Sequence, residues 1–262
     1  MDNPANDPRS VPHLIEATLQ ADDKAAWDAI AALHWRGSKD VLDEAVALTR
    51  STDPAKRGRG ADILSQLGVP ERTFPKESFA AALPLLTDEA HTVVRDAIYA
   101  LAHIDSMRAA PHIIAFADHE NDDVRHAVAF GLGAVDTPGA QDTLLKLMRD
   151  GDADVRDWAT FGIGQQSDAD TAQIREALVM ALSDDDADVR YEAIIGLGRR
   201  RDGRAGRYLK LLLHEDPEDF CAREATARFL GLDDSGETTT ADLLGGLQRQ
   251  QGWSDDSAQS RT

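Results

Sequence analysis

The chain repeats itself, and the repeat leaves little choice of fold. Four segments align without gaps: Val94-Arg95-Asp96-Ala97-Ile98, Val124-Arg125-His126-Ala127-Val128, Val155-Arg156-Asp157-Trp158-Ala159 and Val189-Arg190-Tyr191-Glu192-Ala193. In the last three a glycine follows seven positions after the valine (Gly131, Gly162, Gly196) and another follows at nine (Gly133, Gly164, Gly198). Weaker copies flank them. Ala222-Arg223 leads to Leu230-Gly231, Lys56-Arg57 leads to Gly60-Ala61 and Leu64, and Ala25-Ala26 leads to Ala29 and Leu33 without the arginine. The positions matching the arginine are 26, 57, 95, 125, 156, 190 and 223, which makes seven units of roughly 33 residues. Self-similarity at such a period marks stacked supersecondary units, each unable to bury its apolar face alone.

Each unit reads as two helices. Before each Val-Arg segment lies a second apolar stretch at i, i+3, i+4 spacing, as in Ile174, Ala177, Leu178, Ala181 and Leu182. Strand signals are nearly absent, with 5% aromatic residues and no sustained alternation of β-branched ones. The turn between paired helices is rich in aspartate, for example Asp184-Asp185-Asp186-Ala187-Asp188, which suits free N–H groups and the positive dipole end of a helix start. With the valine at 0° on a helical wheel, positions +4, +7 and +8 fall at about 40°, 340° and 80°. The valine, the small residues, the glycine and the following apolar residue therefore share a face on which the neighbouring helix can approach closely.

The Asp-x-Asp-Val-Arg-x-x-Ala-x-x-Gly-Leu-Gly pattern, cleanest from Asp186 to Gly198, resembles the HEAT repeat, in the short bacterial form called the lyase-type HEAT-like repeat. The resemblance spans residues 13–250. It implies an all-α, right-handed α-α superhelix of about seven helix pairs, with the second helices lining a concave face. Residues 1–11 and 252–262 are polar and read as disordered ends, and 12–251 as the solenoid. Pro70 and Pro75 place a loop over Gly68–Ser78, Pro84 is expected to kink its helix, and Thr239–Gln251 reads as a closing helix.

Composition narrows the function. Lys and Arg number 28 against 47 Asp and Glu, a formal charge of −19. That disfavours nucleic acid and anionic lipid as partners. The start lacks a basic, apolar leader and no run is long enough to span a bilayer, so a cytoplasmic protein is expected. One cysteine, Cys221, excludes an intramolecular disulfide and a cysteine-rich zinc site, and it sits beside a core position as a small hydrophobe. Families that share the repeat can be tested by residue. Iron-dependent deoxyhypusine hydroxylases place His-Glu after Val-Arg, whereas this chain has Asp96-Ala97, His126-Ala127, Asp157-Trp158, Tyr191-Glu192 and Glu224-Ala225. HEAT-like DNA glycosylases use a basic concave surface, which the charge opposes. Phycobilin lyases share the repeat, but the motif is a packing signature. The Gly-x-Gly pairs lie inside helices and form no phosphate cradle. No metal site, cofactor or catalytic residue is expected.

Two sets of residues remain. Arg57, Arg95, Arg125, Arg156, Arg190 and Arg223 lie at the edge of the core face and are expected to form a structural ladder with the acidic turns. Positions +2, +3 and +6 point near 200°, 300° and 240°, away from the core, and in the middle units carry His126, Phe130, Trp158, Phe161, Tyr191, Glu192 and Ile195. Aromatic residues at sites expected to be solvated suggest a partner-binding patch on the concave face. The expected function is a non-catalytic scaffold, adaptor or regulator, monomeric, binding a basic or amphipathic protein. The alternative is a phycobilin-lyase-like role on a tetrapyrrole-carrying partner.

Overall fold

A computed structural model describes residues 4–20, 23–232 and 238–259. Among them the regular elements are helical, with no strand. The chain divides into two compact units, Met1–Val135 and Asp136–Thr262, where the sequence suggested one continuous solenoid.

The first unit holds four helix pairs: α1 (Val11–Thr18) with α2 (Asp23–Arg36), α3 (Lys39–Leu48) with α4 (Pro54–Ser65), α5 (Pro75–Ala82) with the first half of α6 (His91–Ile113), and the second half of α6 with α7 (Asp122–Leu132). Helix α6 is two helices in line. Asp105 leaves helical geometry at φ −165° and ψ 90°, and its carboxylate accepts the Arg108 N–H at 3.1 Å, so one pair passes to the next without a loop. The second unit holds three pairs, α8 (Pro138–Leu147) with α9 (Ala153–Phe161), α10 (Ala172–Ala181) with α11 (Ala187–Arg199), and α12 (Gly206–Glu215) with α13 (Phe220–Leu230), followed by α14 (Thr240–Gln259). Helix α9 runs on into a π-helical turn over Gly162–Gln166.

The helix starts follow the chemistry read from the turns. Asn121, Asp152, Asp186 and Asp219 each accept a backbone N–H three residues ahead, from Val124, Val155, Val189 and Ala222 at 3.1–3.2 Å. Pro54, Pro75 and Pro138 open α4, α5 and α8, where a missing N–H costs nothing. Helix α5 therefore begins inside the expected loop, at Pro75, and it gives way at Pro84 to a 3-10 turn over Leu83–Thr87.

The face deduced from the wheel is the buried one. Val94, Val124, Val155 and Val189, with Ile98, Val128, Ala159 and Ala193 one turn on, are almost wholly buried. In the second unit α11 packs between α9 and α13. Gly164 and Gly196 make that approach possible. A Cβ on Gly196 would stand 2.7 Å from the Gly164 Cα, closer than carbon atoms tolerate.

The ends differ from the expected disordered segments. Pro4–Asn6 form a 3-10 turn, and Arg36 of α2 donates to the carbonyls of Asp7, at 2.8 Å, and of Arg9, which ties this stretch to the first pair. At the other end α14 continues as helix to Gln259, past the expected stop at 251. Residues 1–3 and 260–262, also expected to be disordered, lie outside the described residues.

Candidate functional site

The recurrent arginines share one contact. The Nη1 atoms of Arg57, Arg125, Arg156, Arg190 and Arg223 donate to the carbonyl six residues back, on Ser51, His119, Asp150, Asp184 and Pro217, at 2.7–3.5 Å. These carbonyls lie in the turn that ends each first helix, where backbone acceptors lack intrahelical partners. Arg57 and Arg156 use their other edge as a fork on the first aspartate of the following turn. Arg57 holds Asp88 at 2.6 and 2.8 Å, and Arg156 holds Asp184 at 2.8 Å through both oxygens. The forks hold the carboxyls of Asp88 and Asp184 below the usual carboxylate range. The ladder is not uniform. Arg95 turns to its neighbour Asp96 at 2.8 Å, with Asp123 at 3.8 Å, and Arg223 reaches the Thr240 hydroxyl at 2.7 Å and the Thr238 carbonyl at 3.0 Å.

In the first unit His126 and Phe130 do come together, but with residues the sequence pattern did not single out. The Tyr99 hydroxyl lies 2.6 Å from His126 Nδ1, and the Phe130 ring packs edge-on against Tyr99 at 5.1 Å and beside His103 at 5.2 Å. Burial pushes the Tyr99 hydroxyl up to about 12. Nearby, burial and the facing Asp96 raise Asp62 to about 6 although Arg59 lies 3.0 Å away.

In the second unit Trp158 and Phe161 form an edge-to-face pair with ring centroids 5.6 Å apart, both half-buried. Tyr191 is also half-buried. Its hydroxyl donates to the Asp219 carboxylate, 3.0 Å from each oxygen, and burial followed by that bond raises its pKa. Glu192 accepts from the Gln165 amide at 2.6 Å. Burial first, then the charges of Asp157, Asp188 and Asp219, push Glu192 up to about 7. Ile195 does not belong to this surface. It is 1% exposed, a core residue, because α11 is flanked on both sides by α9 and α13 and its +6 position falls inside the packed layer.

Asp157 is the residue the pattern overlooked. Its Oδ1 is shielded from solvent and has no hydrogen-bond partner among the described residues. Burial, then Asp188, Asp186 and Asp154, raise it to about 6. Several other acids of this unit do pair with an arginine: Asp184 with Arg156, Asp202 with Arg204 at 2.7 Å, Asp170 with Arg175 at 2.6 Å and Glu224 with Arg199 at 3.1 Å. The signal was present at the +2 position, where Asp96, His126, Asp157, Tyr191 and Glu224 follow one another. In the second unit the surface of α9 and α11 is thus aromatic and acidic, and Asp157 and Glu192 have no ion-pair partner among the described residues.

The family model for HEAT repeats matches residues 50–133, 79–164 and 142–231, more than half of the chain. The chain is a HEAT-repeat protein. Among solved structures, YibA of Escherichia coli shares 23% identity at a TM-score of 0.70 over 92% of this chain and 93% of that one. An engineered protein matches at 19% identity and a TM-score of 0.56, over 91% and 77%. The complex of CpcE and CpcF of phycocyanin lyase from Nostoc matches at 17% identity and a TM-score of 0.51, over 87% and 97%. The all-α helical-repeat fold of this chain is shared with these proteins. No curated protein matches this sequence. No helix among the described residues is long and apolar enough to cross a membrane.

Proposed function

We infer that this HEAT-repeat protein is a protein-interaction module whose second-helix surface takes a basic, amphipathic partner. The observation that carries the reading is the pairing of half-buried aromatics with uncompensated carboxylates, Trp158 and Phe161 beside Asp157 and Glu192. A surface made only for solvation would carry neither, since aromatic anchors and excess charge of one sign are what recognition of an oppositely charged partner uses. The net charge of −19 favours the same partner through long-range attraction. Placement in the cytoplasm, a monomeric state and a non-catalytic role belong to this reading.

The test is co-purification from the native host at low and moderate salt, with mass spectrometry. Three baits are compared: the natural chain, Trp158→Ala with Phe161→Ala, and an outer-face control with Met180→Ala and Leu211→Ala, both exposed on first helices. A basic protein retained by the natural chain and the control, and lost with the aromatic pair, is the expected result. Retention by all three removes the second-helix surface from the reading. The likeness to the phycocyanin lyase complex extends to the fold alone, and a visible absorbance band on the purified chain would favour the tetrapyrrole alternative instead.

A further inference from the structure

The docking surface has an internal order. On α9, Asp157 and Phe161 stand one turn apart and so share a face, with Trp158 set edge-on against Phe161. Beyond Phe161 the π-helical turn carries Gln165, whose amide holds the Glu192 carboxylate of α11 at 2.6 Å. Asp157 and Glu192 therefore face one another from α9 and α11, close enough for the charge of one to act on the other, with the aromatic pair beside them on α9. Both carboxylates are partly buried and have no ion pair among the described residues, in a unit where Asp184, Asp202, Asp170 and Glu224 each have an arginine. A second observation does not depend on charge: Asp157 Oδ1 is closed off from solvent without a donor. A buried acceptor without a donor is a standing cost, and the side chain as a whole stays partly exposed, so an arriving guanidinium could supply the missing donor.

We propose that Asp157 and Glu192 are anchor points for cationic side chains of the polypeptide partner, with the Trp158–Phe161 pair beside them taking an apolar side chain. This rests on the interaction-module reading and specifies its partner as a segment that presents cations next to an apolar side chain. Arginine fits better than lysine, because a planar guanidinium both forks a carboxylate and stacks on an aromatic face. Binding is also a protonation event. The groups facing the two anchors are Asp154 on α9, Asp186 and Asp188 at the start of α11, Asp219 at the start of α13, and the neutral Gln165. All the charged ones are acids, so an arriving cation draws protons off Asp157 and Glu192.

The experiment uses the full chain and a fluorescein-labelled helical peptide of Arg, Leu and Ala, with leucines on one stripe flanked by arginines, and a second peptide with every Arg replaced by Glu. Affinity is measured by anisotropy at moderate salt. Asp157→Asn with Glu192→Gln is expected to weaken binding about tenfold or more. Asp185→Asn with Glu215→Gln makes the same change in net charge at exposed sites and is expected to change it by less than about twofold. Calorimetry at about pH 6.5 in buffers of different ionisation enthalpy is expected to show proton release by the natural chain and none by the anchor variant. Equal losses in the two charge variants overturn the anchors, because long-range charge then accounts for binding. Loss with Trp158→Ala and Phe161→Ala but not with the anchor variant also overturns the anchors and leaves the docking surface standing. Failure of the natural chain to bind the arginine peptide in preference to the glutamate peptide overturns both.

Discussion

Arg200 donates through Nη1 to the carbonyl of Gly164 at 3.0 Å, joining the end of α11 to the π-helical turn that ends α9. The same guanidinium reaches the carbonyls of Ile163 at 2.6 Å, Ser167 at 2.9 Å, and Ala169 and Gly196 at 3.0 Å. A π turn and a helix end both leave acceptors without intrahelical donors, and here one side chain satisfies them together. The cation also sits at the negative ends of two helices. Arg200 is 8% exposed, and burial lowers its pKa.

Replacing Arg200 by Met is therefore expected to cost about 3–5 kcal/mol, the range for removing one member of a buried charged network. Arg200→Lys keeps the charge but not the five-donor fork, and should fall between Met and the natural residue. Chemical unfolding of the second unit checks this. A loss no larger than that of an exposed arginine such as Arg207 would show that water replaces the guanidinium without penalty.

Gly196→Ala separates helix propensity from packing. In an open helix the change should stabilise by up to about 1 kcal/mol. Here the new Cβ would meet the Gly164 Cα at 2.7 Å and Leu178 at 3.1 Å, so α9 and α11 must move apart. The expected outcome is a loss of about 1–3 kcal/mol. Gly151→Ala, with nothing within 4 Å of its Cβ, should be nearly neutral. Thermal melting of the two variants side by side decides the sign.

The helix pairs, their caps and the buried face could be read from the spacing of valine, glycine and aspartate, because each follows from one helix and its own turn. What could not be read depends on a neighbour. A wheel gives the angle of Ile195 on α11 but not how far α9 and α13 wrap around it, so a core residue passed for a surface one. Arg200 lies in the run Arg199-Arg200-Arg201, which by composition looks like solvated charge, yet its partners come from residues more than thirty positions earlier as well as its own helix. The recurring arginines were visible as residues, but their repeating contact is a turn carbonyl, which has no letter in a sequence. Asp157 was visible too, and only its lack of a partner was hidden.

Stability should fall as pH rises from about 5 to about 8. Asp157 is raised to about 6 and Glu192 to about 7 from ordinary values of 3.8 and 4.5. Groups raised by folding contribute stability that is complete below their unfolded values and is lost as pH climbs through the folded ones. Acids held low, such as Asp202 at about 2, give up their contribution only in stronger acid, outside this window. Asp157→Asn with Glu192→Gln should flatten the slope for the second unit, while Asp62, raised to about 6 in the first, keeps its own. Melting curves at several pH values are the measurement, and an unchanged slope in the double variant would count against the shifts.

Trp158→Ala with Phe161→Ala is the substitution on which the interaction surface stands or falls. Both rings are half-buried and touch each other edge-on, so removing them forfeits their mutual contact and part of their burial. A fully buried aromatic replaced by alanine costs about 3–5 kcal/mol. The half-buried pair should together cost less than two such core losses, with far-UV dichroism unchanged because Val155, Ala159 and Ile163 carry the packing of this helix. Binding of the partner should disappear in the same variant. If stability instead drops by the full core amount, the rings belong to the solenoid's interior and the surface is the acidic rim alone. If affinity and melting both stay as they are, the aromatic pair is neither core nor contact, and the docking surface must be sought elsewhere on the chain.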